Sequence, residues 1–354
     1  MPAGQAKYGL PGRFLYPWEF VVTTTTEPPL TAGNPKPQPK SDPQKHGRLA
    51  LMLLTPTFLV LALVIAYPLI AAVRESLYRK QGGVDANGFT FEGDQFVGVD
   101  NYAAIFTGDT AERFWNAFFN TTFFTIVTLF LEILIGVSMA LVMHHALRGK
   151  GLVRASILVP WAIPTAVSAI MWQFIFQADG VANEVLNSQI LWTTEGFQAK
   201  VAVIIADVWK TAPFVGLLVL AGLQIIPGEV YEAARVDGAN AWKQFWRITL
   251  PLVKPALLVA ILFRGLDALR MFDLPFVMIG PRKKSVETLS MLAQEEASQL
   301  RIGPAAAYAI VLFLYVAVVA FAFVKLLGAD VLGEARTRDK EAKARKAKAG
   351  VATS

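Results

Sequence analysis

Four ionisable residues recur at every third position inside one apolar run: Arg264, Asp267, Arg270 and Asp273, with alternating sign. Ionisable groups in hydrocarbon are costly, so they pair with one another or face a wet cavity. On a helix each step of three residues falls about 60° short of a full turn. Neighbouring opposite charges can therefore meet while the series spirals around roughly half the helix. Two arrangements satisfy them. Arg264 can pair with Asp267 and Arg270 with Asp273 without touching a ligand, or some of the four can line a polar path. Trp172, Gln173 and Trp209 lie in other apolar runs and are aromatic or planar polar side chains that can line such a path as well. Lys210 and Glu132 also lie in apolar runs; Lys210 needs a partner or water, and Glu132 is available to a partner chain.

Other chemistries are excluded by what the chain lacks. It has no cysteine, hence no disulfide, thiolate or cysteine-ligated metal. No G-x-x-x-x-G-K-[ST] phosphate loop occurs, so ATP is not handled here. The three histidines, His46, His144 and His145, are not at metal-ligand spacing, and no catalytic or metal site is expected.

The elements that must position these residues are membrane helices. Hydrophobic residues make up 54% of the 354, charged residues 17%, and the mean hydropathy is +0.45, too apolar for a soluble domain of this size. Six runs reach the about 20 residues needed to cross a bilayer: 49–73, 118–142, 155–176, 201–226, 256–279 and 305–327. The expected fold is an all-α polytopic membrane protein with six transmembrane helices. Pro160 and Pro164 predict a kinked third span that faces other helices. Residues 1–48 carry no signal-peptide pattern and read as a Pro-rich disordered arm. Within the arm, the aromatic patch Tyr8 to Phe20 is either an interfacial anchor or text upstream of a translation start near Val21 or Val22. Lys36, Lys40, Lys45 and Arg48, then Arg148, Lys150 and Arg154, then the seven Lys/Arg in the tail 328–354 mark cytoplasmic segments and put both termini in the cytoplasm. Arg282, Lys283 and Lys284 dissent, since they fall in a loop expected outside. The net charge of +6 is explained by this topology rather than by nucleic acid.

Between the fourth and fifth runs lies a polar interruption at 228–251. Glu229 to Val236 offers helix formers, Ala233 and Ala234 present a small flat surface, Gly238 suits a left-handed terminator, and Asn240 suits the cap of a second helix over 241–248, ended by Leu250-Pro251. An interfacial helix with Trp242, Phe245 and Trp246 in the headgroups explains the aromatics but not the rest. The spaced text Glu232-Ala233-Ala234, Asp237-Gly238-Ala239, Ile248 and Leu250-Pro251 resembles the EAA loop of importer-type ABC permeases. Phe96-Val97-Gly98-Val99-Asp100-Asn101-Tyr102 and Gly180 with Asn183 are similar to further family text.

The resemblance covers about 49–330 and is to carbohydrate-uptake permeases of the maltose and glycerol-phosphate type, most similar to permease subunits of actinobacterial trehalose importers. It implies a type I ABC importer permease fold in the bacterial inner membrane, with Glu232, Ala233, Ala234, Asp237, Gly238 and Ala239 contacting an ATPase. It also implies a second homologous permease, two ATPase subunits carrying ATP and Mg, and an extracytoplasmic sugar-binding lipoprotein met by the loops near 75–113, 177–200 and 280–304. In maltose-type permeases the helix after this loop supplies sugar contacts, matching Arg270, Phe272 and Asp273, and the expected cargo is a disaccharide such as trehalose. An ion-coupled carrier or a membrane-embedded transferase would explain the charges but not the loop.

Overall fold

The computed structural model describes residues 43–84, 90–108, 110–145 and 149–325. The arm up to residue 42 and the basic tail, with the expectations attached to them, lie outside the described residues. The chain divides into two compact units, residues 1–59 and 60–354. In the first, α1 (Pro43–Leu61) begins ahead of the apolar run, at Pro43, and its side chains from Leu51 onward are exposed.

The second unit opens with a π-helical turn, Ala62–Ala66, followed by α2 (Tyr67–Ser76). A second π-helical turn, Phe245–Thr249, recurs before α11 (Leu250–Ala268). Pro68 and Pro251 each stand two residues past such a turn. A proline ring would strike the carbonyl four residues back, here Val64 or Arg247, and widening the turn relieves that clash without ending the helix. Pro251 therefore lies inside a 28-residue helix, Ala241–Ala268, and does not end a short second helix as the sequence suggested.

Five helices among the described residues are long and apolar enough to cross a membrane: Leu51–Ser76, Ala111–His145, Phe197–Gln224, Ala241–Ala268 and Ile302–Lys325. The sixth is a broken pair, α5 (Lys150–Ala162) and α6 (Thr165–Ile175), bent by 89°. The expected kink is thus a break: Pro164 biases Ile163 to the extended backbone it adopts (ψ 134°), and α5 stops before it. Among the described residues, one hairpin of two strands is not helical. Where a plain external loop was expected, β1 (Tyr78–Val84) pairs antiparallel with β2 (Thr90–Phe96), Tyr78 opposite Phe96.

The packed centre is α8 (Phe197–Gln224), with the most buried face of the candidate spans. Small residues bring α4 (Ala111–His145) close to it: a Cβ on Gly136 would stand 2.8 Å from Val215 and 3.0 Å from the Ala212 carbonyl oxygen. Without a hydrophobic drive between helices in lipid, such close approach supplies the contact energy. Gly222 plays the same part against Ala256 on α11.

The fifth run, 256–279, is not one helix. Pro275 disfavours a helical turn through Met271, where α11 has ended at Ala268 and a short α12 (Asp273–Met278) follows. The charge series is cut accordingly, with Arg264 and Asp267 on α11, Arg270 in the turn and Asp273 opening α12. Short helices α3 (Asp100–Phe106) and α7 (Val181–Leu186) lie in the connections, and the last span, α14 (Ile302–Lys325), follows α13 (Leu289–Ser298).

Candidate functional site

The polar interruption folds as a helix, a tight elbow and a second helix. After Pro227, α9 (Gly228–Val236) closes with Gly238 at φ +76°, and the Ala239 amide donates to the Ala234 carbonyl at 2.9 Å. Beyond the elbow, α10 (Ala241–Gln244) leads into the second π-helical turn; the Asn240 side chain accepts from the Lys243 amide at 2.9 Å, the expected cap. Tyr231 on α9 meets Thr249 across the elbow, hydroxyl to hydroxyl at 3.1 Å, and Gln244 donates to the Ala239 carbonyl at 2.7 Å. Glu232, Ala233, Asp237 and Gly238 are exposed and Ala239 is half-buried, whereas Ala234 turns inward, so the small surface is narrower than the sequence implied. Glu232 and Asp237 make no ion pair among the described residues.

The membrane charges gather elsewhere. Arg264 is 3% exposed and reaches three carboxylates on three helices. Its Nε lies 2.7 Å from Oε2 of Glu132 on α4, obliquely, so that contact is an ion pair rather than an aligned hydrogen bond. Nη2 donates to Asp207 on α8, and Nη1 lies 3.3 Å from Oδ2 of Asp267. Glu132 is 0% exposed and accepts from Thr211 at 2.6 Å. Asp267 shows 67% of its side chain and carries little of the pairing. Glu132 is therefore satisfied within its own chain rather than by a partner. Arg270 and Asp273 form no ion pair with each other; both are exposed, and Arg270 donates only to the Leu266 carbonyl at 3.2 Å. The sequence reading missed Asp207 and Thr211; an acid three residues before Lys210 in an apolar run was the available signal.

Lys210 finds its partner at the break in the third span, where its ammonium donates to the Ile163 carbonyl at 2.5 Å. That carbonyl ends α5 and needs a donor, because lipid offers none. The aromatic candidates divide into two groups. Trp172 stacks on Phe176 at 5.2 Å and stands edge-on to Trp209 at 5.6 Å, while Phe272 stacks on Phe276 at 4.8 Å. Gln173 is half-buried beside Trp172.

At the other end of the bundle, two residues of the dissenting basic loop have acidic neighbours: Arg282 pairs with Glu295, and Lys284 approaches Glu112 at 3.7 Å with both side chains exposed. Burial alone would raise the Glu295 carboxyl, but the hydrogen bond and charge of Arg282 hold it below its ordinary range. The hairpin is fixed by Asn101, whose amide donates to the carbonyls of Ser76 and Tyr78 at 2.8 and 2.9 Å and whose oxygen accepts from Arg79. Gly303 packs so tightly there that a Cβ would stand 1.9 Å from the Tyr78 carbonyl oxygen.

Residues 132–332 match the family model described as binding-protein-dependent transport system inner membrane component. The chain is 37% identical over 288 residues to a trehalose transport system permease protein of Mycobacterium tuberculosis, covering 81% of this chain and 91% of that one. It is 38% identical over 256 residues to a trehalose/maltose transport system permease protein of Thermococcus litoralis (70% and 83% covered). A sulfoquinovosyl glycerol permease protein of Agrobacterium fabrum is 36% identical over 274 residues (75% and 85%). Among solved structures, a bacterial ABC transporter that imports alginate has a chain matching with a TM-score of 0.67 at 20% identity, covering 80% of this chain and 96% of that one.

Proposed function

Since the chain belongs to the family of binding-protein-dependent transport system inner membrane components, we propose that it is one half of the translocation path of an ATP-driven disaccharide importer, with trehalose or maltose as cargo. At the coarser level it is a multi-pass inner-membrane permease subunit of an ABC importer. The observation that carries the finer reading is the elbow: Glu232, Ala233, Asp237 and Gly238 stand exposed on a short helix joined through tight turns to α8 and α11. Such a unit suits contact with an ATPase subunit, and two carboxylates that make no ion pair among the described residues suit basic groups on it.

In this reading, closure of two ATP- and Mg-loaded subunits displaces the elbow and rocks this chain against a second homologous permease. The path then opens toward an extracytoplasmic binding lipoprotein, which delivers the sugar, and hydrolysis resets the inward-facing state. Both termini are cytoplasmic. Arg270, Phe272 and Asp273, at the break between α11 and α12, are the residues assigned to the sugar path, with Trp172, Gln173 and Trp209 as further contacts. Asp267, exposed beside them, is assigned to it as well, whereas Arg264, buried in ion pairs, supports the path from behind rather than lining it. A carrier or transferase leaves the elbow unexplained.

The test is uptake of labelled trehalose and maltose into cells lacking the chromosomal gene and carrying either the native chain or Glu232→Lys. Native uptake that needs ATP, and its loss in the variant at equal membrane level, is expected. Uptake driven by an ion gradient alone would refute the assignment.

A further inference from the structure

The three helices joined by Arg264 include both helices that border the elbow. The α8 helix runs from Asp207 toward Gln224 and the start of α9, and the helix that begins at Ala241 runs unbroken to Arg264. One guanidinium therefore ties the entering helix to the leaving one, and through Glu132 ties both to α4. Lys200 donates to Asn120 and Thr211 to Glu132 between α4 and α8, and other contacts among these helices are close and apolar, as at Gly136 with Val215 and Gly222 with Ala256. Apolar packing of that kind permits helices to slide past one another by small shear steps. A planar fork held by a hydrogen bond to Asp207 on one neighbouring helix and by a close charge contact to Glu132 on another resists such sliding. Burial of a charge triad is poor evidence for stability in itself, since apolar replacements of similar volume often do as well.

We propose that Arg264 is a positioning residue for transport: with Glu132 and Asp207 it fastens α4, α8 and α11 into one body, so that displacement of the elbow reaches all three helices together. The proposal rests on the elbow being the ATPase contact. It separates two roles that buried charges in a permease can have, since these three groups would act without meeting the sugar.

The cysteine-free chain permits a direct test in the assembled complex with its ATPase and second permease subunits, reconstituted in lipid. Nitroxide labels on Ser138→Cys in α4 and Val259→Cys in α11, both exposed positions, report the separation of the two helices without nucleotide and with ATP and vanadate. In the otherwise native chain the distance is expected to stay the same in both states. In the neutral variant Glu132→Gln/Asp207→Asn/Arg264→Met it is expected to differ between states, and sugar molecules moved per ATP hydrolysed should fall about 5- to 150-fold, the span of an ordinary coupling between sites. A native distance that changes between states, or a neutral variant with native coupling, overturns the proposal. If the neutral variant does not assemble, the native distance alone decides. Gly238→Val is run in parallel: retained uptake there refutes the elbow as ATPase contact, whereas lost uptake there with normal transport by the neutral variant refutes only the role of Arg264.

Discussion

Replacing Gly238 with Asn, Ala and Val gives a graded probe of the elbow. A Cβ at this position meets nothing within 4 Å, so the substitutions add no clash and act through the backbone alone. The φ of +76° lies in the left-handed region, which costs an L-residue about 1–2 kcal/mol, least for Asn and most for a β-branched side chain. Against the packing of the spans this is small, and insertion and membrane level should not change. Against the elbow it is large, because a cost of about 1–2 kcal/mol lowers the ratio of native turn to its alternatives roughly 5- to 30-fold. The apparent affinity of a partner that needs that turn falls with the share of chains holding it, by at most that factor. Titrating the purified ATPase subunit against the reconstituted permease should therefore show affinity falling in the order Gly, Asn, Ala, Val, with Val weaker by up to about 30-fold. Equal weakening by Asn and Val, or native affinity with Val, would refute the reasoning.

Three further substitutions test the helix packing and the hairpin. Lys210→Met leaves the Ile163 carbonyl without its donor and should cost about 1–3 kcal/mol, read as a lower unfolding temperature of the detergent-solubilised complex; an unchanged temperature would dismiss that cap. Gly136→Ala forces a Cβ against Val215 and the Ala212 carbonyl and should destabilise by about 1–3 kcal/mol, with Val215→Gly on the facing helix restoring part of the loss in the same measurement. Gly303→Ala collides with the Tyr78 backbone and should loosen the hairpin, seen as faster deuterium exchange at the Val97 amide, which donates to the Leu77 carbonyl; exchange at the native rate would show that the strand tolerates displacement.

The elbow was legible because its instructions are local. A left-handed glycine, an N-cap and a proline-glycine entry act within a few residues, and all three do as their types dictate at Gly238, Asn240 and Pro227-Gly228. The charge partners were not legible, because Arg264 meets Glu132 and Asp207 across 132 and 57 positions of chain, and i+3 spacing suggested nearer mates. Helix ends failed for a related reason. Apolar runs mark what is immersed in lipid, whereas helices end by backbone rules: α4 continues to both sides of its run, and Pro275 splits the fifth run although its hydropathy is continuous. The hairpin at 78–96 sits in acid-rich text whose polar character masked its strand pairing.

The break at Ile163 bears on how the chain is made. With 13 and 11 residues, α5 and α6 rise only about 20 and 17 Å, each short of the roughly 30 Å hydrocarbon thickness. The donor that completes their junction is Lys210, which the ribosome adds 47 residues later. The third span thus completes the hydrogen bonding of its break only once the fourth has been made, so the order of synthesis leaves that junction for last.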